Sequence, residues 1–341
     1  MGRPTIKDLS IASGVSIATV NRVLAGSAGV RPATMQRVKD AAEEISFYGV
    51  GAIQSRISAA RPKYRFGFLL HQPTRTFYQD VAKALRSAAA RMTDCDVSIR
   101  VEFLEDLSPQ NIVARMRGLA ENCEAIGVVA AVHPLVTEAI SDLQAQGLPV
   151  FGIVSQLAAT GHVHYVGLDN WKVGRMAAWT FEKVCKKPGK LAILVGNHRY
   201  RCQEMNEAGF RSYFRELAPE FTLLEPQSTF ESSAIAQELV EKLLRDVPDL
   251  SGIYVAGGGI TGVITALRHN AKPDQLVVVG YQLMDVTRKA LLDGYMTLAI
   301  SHPLDLLAEK TIAGMIQVLK SPEGGSYTFI LPFEIHTREN I

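Results

Sequence analysis

The sequence predicts a small all-α head followed by an α/β core of two doubly wound, parallel-sheet lobes. Three observations carry this. Between Thr5 and Ile45, apolar residues recur at helical spacing in three short stretches separated by turn residues. Beyond Tyr64, near-continuous apolar runs alternate with amphipathic stretches, as in parallel strands covered on both faces by helices. The charge is also divided. Ten Lys/Arg stand against four acids in the first 65 residues, leaving +6 there and −4 on the remainder of a chain with net charge +2. A basic module beside a mildly acidic body suits a phosphate-seeking head. The length, 341 residues, fits a small module plus a larger two-lobed one.

The head elements follow from their ends. Thr5 can cap a helix from Ile6 to about Ser13, with Asp8 as its capping-box partner. Gly14 supplies the left-handed turn that ends it. Ser16 caps a second helix from Ile17 to about Ala25, and Pro32 opens a third that runs to about Ile45. The first two helices form a helix-turn-helix pattern. Small Ala12 is expected at the helix crossing, with Val15 and Val20 plugging the core. Ile17, Ala18, Asn21 and Arg22 then face outward for a major groove, and Ser16 and Thr19 suit phosphates at the helix start. Residues 47–60 form a linker with Gly49 and Gly51, a weakly amphipathic segment from Ala52 to Ile57, and a break at Arg61-Pro62.

In the core, the expected strands are Phe66–Leu70, Ile99–Phe103, Ile126–Ala130, Val150–Val154, Leu191–Val195, Ile253–Ala256 and Leu276–Gly280, with a further one near Thr328–Leu331. Helices are expected between them, such as Phe77–Arg91, Pro134–Gln146, Val173–Cys185, Gln203–Glu216 and Ile235–Leu244. About ten strands make two sheets.

The segment Ile6–Leu24, IKDLSIASGVSIATVNRVL, followed by Val30-Arg31-Pro32-Ala33-Thr34, resembles the head of the LacI/GalR family of bacterial repressors. The remainder is similar to that family's core, which is of periplasmic-binding-protein type. The resemblance implies a helix-turn-helix domain over 1–48, a hinge over 49–63 and a core over 64–341. The core's N-lobe would span about 64–166 and 300–328, and its C-lobe about 167–299 and 329–341. It implies double-stranded operator DNA, a mono- or disaccharide effector and a homodimer as partners, with no membrane, cofactor or metal. The expected chain is a cytoplasmic repressor of carbohydrate genes, not an enzyme, with a corepressor-type regulator of a non-sugar metabolite as the alternative.

By the same resemblance, Thr5, Ser16, Ile17, Ala18, Thr19, Asn21 and Arg22 contact DNA, with Arg22 the candidate for a bidentate guanine contact. Ile57 matches the family's minor-groove wedge, flanked by Gln54 and Arg56. The family's Asn after Pro before the hinge is replaced here by Phe47-Tyr48-Gly49-Val50-Gly51. The effector would lie between the lobes at the C-terminal ends of strands. Those ends carry His71, Phe77, Tyr78, Ser155, Gln156, Asn197, His198, Tyr200, Arg201, Asn206, Gly257, Gln282 and His302, and Phe230 matches an aromatic that stacks on a sugar face. Gln156 and Gln282 stand where the family commonly has acids, and Asn206 stands near a family Arg. Amides and hydroxyls suit a polyol, and His71, His198 and Arg201 leave room for an anionic group.

Other readings are weaker. Gly257-Gly258-Gly259-Ile260-Thr261-Gly262 matches G-x-G-x-x-G and raises a nucleotide-dependent sugar oxidoreductase. It falls late in the chain, and Gln282 ends the next strand where a ribose-binding acid is needed. Cys95, Cys123, Cys185 and Cys202 form no CxxC pair and read as reduced thiols. His162 and His164 read as a solvated strand edge. No apolar run reaches the ~18–20 residues of a membrane span.

Overall fold

The computed structural model describes residues 3–26, 29–59 and 61–341. Met1, Gly2, Ser27, Ala28 and Ala60, which fall within the expected head and hinge, lie outside the described residues. The chain divides into two compact units, Met1–Lys63 with Met92–Asp96, and Tyr64–Arg91 with Val97–Ile341.

The first unit holds α1 (Ile6–Ser13), α2 (Ile17–Ala25), α3 (Pro32–Glu44) and α4 (Val50–Ala59). The Thr5 N–H donates to Asp8 Oδ2 at 2.8 Å, and the Asp8 N–H to Thr5 Oγ1 at 3.4 Å, closing a reciprocal capping box. Gly14 ends α1 at φ 61°, a conformation that penalises residues with a Cβ. The Thr19 N–H donates to Ser16 Oγ at 3.2 Å, which starts α2.

The small residue at the helix crossing is not Ala12, which is exposed. The neighbouring Ser13 is the buried one, and its hydroxyl donates to the Leu9 carbonyl at 2.5 Å. That internal bond lets a polar residue take a core position.

Leu9, Val20, Val23, Val38, Ala41, Ala42, Phe47 and Ile53 form one core, with Val15, Val50 and Ile57 packed on it. α4 lies within the expected hinge, 49–63. α4 shares the head's core through the fully buried Ile53.

The second unit contains two sheets. Its first stretch runs β1 (Lys63–His71), α5 (Thr76–Ala90), β2 (Asp96–Leu104), α6 (Pro109–Ala120), β3 (Ala125–Val128), α7 (Pro134–Ala145), β4 (Val150–Ile153) and β5 (His164–Leu168). The chain then crosses to the other sheet. There it forms α8 (Asn170–Val184), β6 (Lys190–Val195), α9 (Arg201–Leu217), β7 (Thr222–Leu223), β8 (Gln227–Ser228), α10 (Ser233–Asp246), β9 (Leu250–Val255), α11 (Ile260–Asn270), β10 (Val277–Tyr281), α12 (Asp285–Leu292) and β11 (Leu298–Ser301). It crosses back through α13 (Leu304–Lys320) to β12 (Thr328–Leu331), and again to β13 (Glu334–His336).

The sheet orders are β12-β5-β4-β3-β1-β2 and β13-β11-β10-β9-β6-β7, with β8 also on β6. From β12 to β1 in the first sheet, and from β11 to β7 and β8 in the second, pairing is parallel, whereas β13 runs antiparallel to β11. Three expected lobe boundaries shift accordingly. Residues 167–168 and 329–331 belong to the first sheet, and 300–301 to the second. His164 is also buried rather than solvated. It stacks on Phe151 with ring centroids 4.6 Å apart and accepts the Tyr327 N–H on Nδ1 at 2.9 Å. No helix among the described residues is long and apolar enough to cross a membrane.

Each lobe has its own core. Leu69, Ile112, Met116, Ile126, Val128 and Ile140 anchor one, and Leu194, Val240, Ile253, Val255, Val263 and Val278 the other. These rigid layers hold the strand ends that frame the cleft.

Candidate functional site

Two sites emerge, one in each unit. In the first, α2 turns Val20 and Val23 into the core. Its opposite face then presents Ile17, Ala18, Asn21 and Arg22, all exposed, with Ile17 at 46%. Ser16 Oγ and Thr19 Oγ1 lie 2.9 Å apart at the helix start. Thr5 lies with Ile17 and Asn21 around a shallow concavity that also takes in Arg3, Lys7 and Tyr48. Arg3 sits 4.7 Å over the exposed Tyr48 ring. Sequence reasoning did not single out Arg3, Lys7 or Tyr48.

The hinge residues sit differently from expectation. Ile57 is half-buried against the head core instead of standing free as a wedge. Arg56 Nη1 donates to the Val23 carbonyl at 3.4 Å, and Gln54 Oε1 is buried without a partner. α4 instead turns small residues outward: Gly51, Ala52, Ser55 and Ala59.

The second site is a cavity of about 530 Å³ between the lobes. Six of the expected ligand residues line it: Phe77, Tyr78, Asn206, Gly257, Gln282 and His302. His302 Nδ1 lies 3.3 Å from Gln282 Oε1, which also accepts the His302 backbone N–H at 3.0 Å. An amide oxygen only accepts, so Nδ1 carries the proton and Nε2 is left as an acceptor. Burial holds the His302 pKa down at about 4, keeping the ring neutral. Nε2 has no partner, and neither has Asn206 Oδ1, whose amide nitrogen donates to the Ala256 carbonyl at 3.3 Å. Both are fully enclosed acceptors, which costs stability until a donor arrives. The Phe77 ring lies 5.6 Å from that of His302. Two strand ends in the lining, Val154 at φ 66° and Gln282 at φ 67°, adopt left-handed backbone, a strain typical of binding sites.

Eight expected ligand residues do not line the cavity. His71, Ser155 and Tyr200 are buried behind it. His71 packs on Tyr78 and Tyr200, and its Nε2–H donates to the Val129 carbonyl at 3.0 Å. Burial holds its pKa at about 4. The Cys202 N–H donates to Ser155 Oγ at 3.4 Å, tying one lobe to the other. Gln156 is exposed, and Asn197 uses its side chain to accept the Arg199 N–H at 2.9 Å. His198 and Arg201 spend themselves on surface pairs with Glu207 and Glu204. Phe230 is 69% exposed and is not among the lining residues, so the expected stacking position is not formed here.

Glu231, the next residue, takes its place in the cleft. Its carboxylate pairs with Arg75 at 2.8 Å and accepts from Gln203 Nε2 at 2.6 Å. Arg75, Gln203 and Glu231 were all missed. The glycine run 257–259 lines the same cavity at the start of α11 and makes room for side chains.

Comparison with known proteins agrees with this division. Residues 5–49 match the family described as bacterial regulatory proteins, lacI family, and residues 66–323 match the periplasmic binding protein domain. Over 354 aligned residues the chain is 23% identical to the HTH-type transcriptional regulator GntR of Pseudomonas aeruginosa, covering 99% of this chain and 96% of that one. It is 22% identical to the D-apiose import binding protein of Paraburkholderia graminis, over 61% of this chain and 66% of that one. Among solved structures, the fold is similar to the glucose-galactose binding protein GanP of Geobacillus stearothermophilus. That match has a TM-score of 0.74 at 15% identity, over 82% of this chain and 99% of that one. A solute-binding protein of Burkholderia graminis, solved with D-arabinose, gives a TM-score of 0.75 at 20% identity, over 82% and 96% of the two chains. The chain belongs to the periplasmic binding protein domain family over residues 66–323 and carries, over residues 5–49, the helix-turn-helix head of the bacterial regulatory proteins of the lacI family.

Proposed function

We propose that this chain is a ligand-responsive transcriptional regulator that a small polyhydroxylated effector releases from operator DNA. The observation that carries the ligand half is the pair of buried, unpartnered acceptors, His302 Nε2 and Asn206 Oδ1, on two residues that line a cavity between two lobes. Hydroxyl groups can donate to both. That structural relatives were solved with or named for simple sugars supports the same class. The exposed face of α2, with Ile17, Ala18, Asn21 and Arg22, is the DNA-reading surface. Ser16, Thr19 and Thr5 hold phosphates beside it, and Arg3, Lys7 and Tyr48 extend it.

In the mechanism, two heads of a homodimer occupy successive major grooves of a near-palindromic site. Domain limits near 1–48, 49–63 and 64–341 serve as the working division, with the hinge folded onto the head in the state described here. Effector binding draws the lobes together and biases the hinges against the DNA-bound arrangement. The coupling is reciprocal and is expected at about 1–3 kcal/mol. The cleft residues bind and orient, which favours a cytoplasmic regulator over an enzyme.

The test is operator binding by the purified full-length chain with and without a panel of sugars. Release by about 5–150-fold at saturating effector is the expected result. Tighter binding would make the ligand a corepressor, and no change with any binder would separate the cleft from regulation.

A further inference from the structure

The cleft holds one carboxylate and one guanidinium among its lining residues, and they are spent on each other. Glu231 Oε2 lies 2.8 Å from Arg75 Nη1, and a second Arg75 nitrogen donates to the Glu231 carbonyl. Glu231 Oε1 accepts from Gln203 Nε2 at 2.6 Å. The Glu231 side chain is only 8% exposed.

The recess around it is walled by glycines. A Cβ on Gly196 would stand 1.8 Å from Oε1, and one on Gly258 would stand 2.0 Å from Oε2 and 2.7 Å from Arg75 Nη1. The pocket is thus cut to the size of a carboxylate.

Its surroundings favour negative charge. α11 opens at Gly259, and α5 opens at Arg75, both without a capping side chain. Ile260, Thr261, Thr76 and Phe77, the first residues of the two helices, line the cavity. Their N–H groups and helix dipoles act with the guanidinium.

The chain's own carboxylate reaches this recess by an unfavourable route. Phe230 and Glu231 take φ 50° and 61°, two successive L residues in left-handed backbone. A second carboxylate arriving from outside would let that turn relax.

The remaining polar lining asks for hydroxyls. His302 and Asn206, 6% and 2% exposed, line the same cavity and carry buried acceptors, Nε2 and Oδ1, that have no partner. Phe77 links the two ends, two residues from Arg75 and in ring contact with His302.

Resting on the reading of the cleft as an effector site, we propose that the effector is a polyhydroxy acid, and that Glu231 is the internal stand-in its carboxylate displaces from Arg75. The hydroxyls bond to His302 and Asn206, and the carboxylate takes the glycine-walled recess.

Isothermal titration of the full-length chain tests this with the D-aldopentoses and D-aldohexoses, their aldonates and their terminal phosphates. At least one aldonate is expected to bind ten-fold or more tighter than its parent aldose, with affinity falling as salt rises. Glu231→Gln, which removes the internal competitor while keeping its shape, should tighten that aldonate several-fold, and Arg75→Met should weaken it ten-fold or more. The salt dependence is read on the unaltered chain and stands whether or not a variant folds. Aldose binding that exceeds aldonate binding, with Glu231→Gln weakening the aldose, would overturn the proposal and make Glu231 a direct hydroxyl acceptor, leaving the effector site intact. Preference for a sugar phosphate would overturn the carboxylate assignment. No binding by any of the three classes would overturn both this inference and the polyhydroxylated-effector reading.

Discussion

Arg22 is exposed on the outward face of α2 and donates to Thr19 Oγ1 at 3.5 Å, a long bond that a base edge can replace. Arg22→Ala should cost about 1–3 kcal/mol of operator binding and relax specificity at one position. Binding measured across operator variants checks this, and uniform weakening over all sequences would assign Arg22 to phosphate. In the cleft, Asn206→Leu removes an enclosed acceptor and should weaken the effector by about 1–3 kcal/mol, read by titration. The residue scale is also where sequence reading was least reliable. Phe230 and Glu231 exchange roles because two consecutive left-handed residues rotate the turn, and no composition signal marks such a backbone. Ala12 and Ser13 exchange places for a related reason, since Ser13 hides its hydroxyl on Leu9. Arg75 escaped notice because its target, Glu231, lies 156 residues away.

At the scale of elements, capping chemistry made the head legible. Thr5, Gly14 and Ser16 set the ends of α1 and the start of α2 where expected. α4 was harder, because its weak amphipathicity does not reveal that Ile53 enters the head core. Ile53→Ala in the full-length chain should destabilise the head by about 2–5 kcal/mol, seen as an earlier unfolding transition of the basic unit. Ile57 is only half-buried and can act as a wedge if α4 leaves its seat on the head. Ile57→Ala should then reduce both operator affinity and bending, measured by the mobility of circularly permuted fragments. Unchanged bending would remove Ile57 as the wedge. In the core, long apolar runs announced strands such as β1 and β6, whereas β7 and β8, two residues each, are too short to carry a period.

On the scale of the molecule, strand–helix alternation revealed two sheets but not the three crossings between them. Those crossings depend on which neighbour each strand pairs with, and β12 pairs with β5 and β13 with β11 through long-range register. His71, at the end of β1, and His302, just past the end of β11, are both buried and held near pKa 4. The unfolded chain protonates its histidines below about pH 6.5, whereas the folded core resists until about pH 4. Their contribution to stability is therefore present above about pH 6.5, is lost progressively as pH falls toward 4, and levels off below. Thermal melts from pH 7 to pH 4 should show the core transition falling, less steeply in His302→Gln. An unchanged slope in that variant would contradict the buried neutral ring.

The central claim is that one chain reads a DNA sequence and a small molecule together. The most direct test is to select and sequence genomic fragments retained by the full-length protein at moderate salt, then to challenge the retained fragments with the sugar and sugar-acid panel. Enrichment of a short near-palindromic site that at least one panel member releases is expected. Retention of all fragments alike, vanishing as salt rises and indifferent to every compound, would contradict that claim.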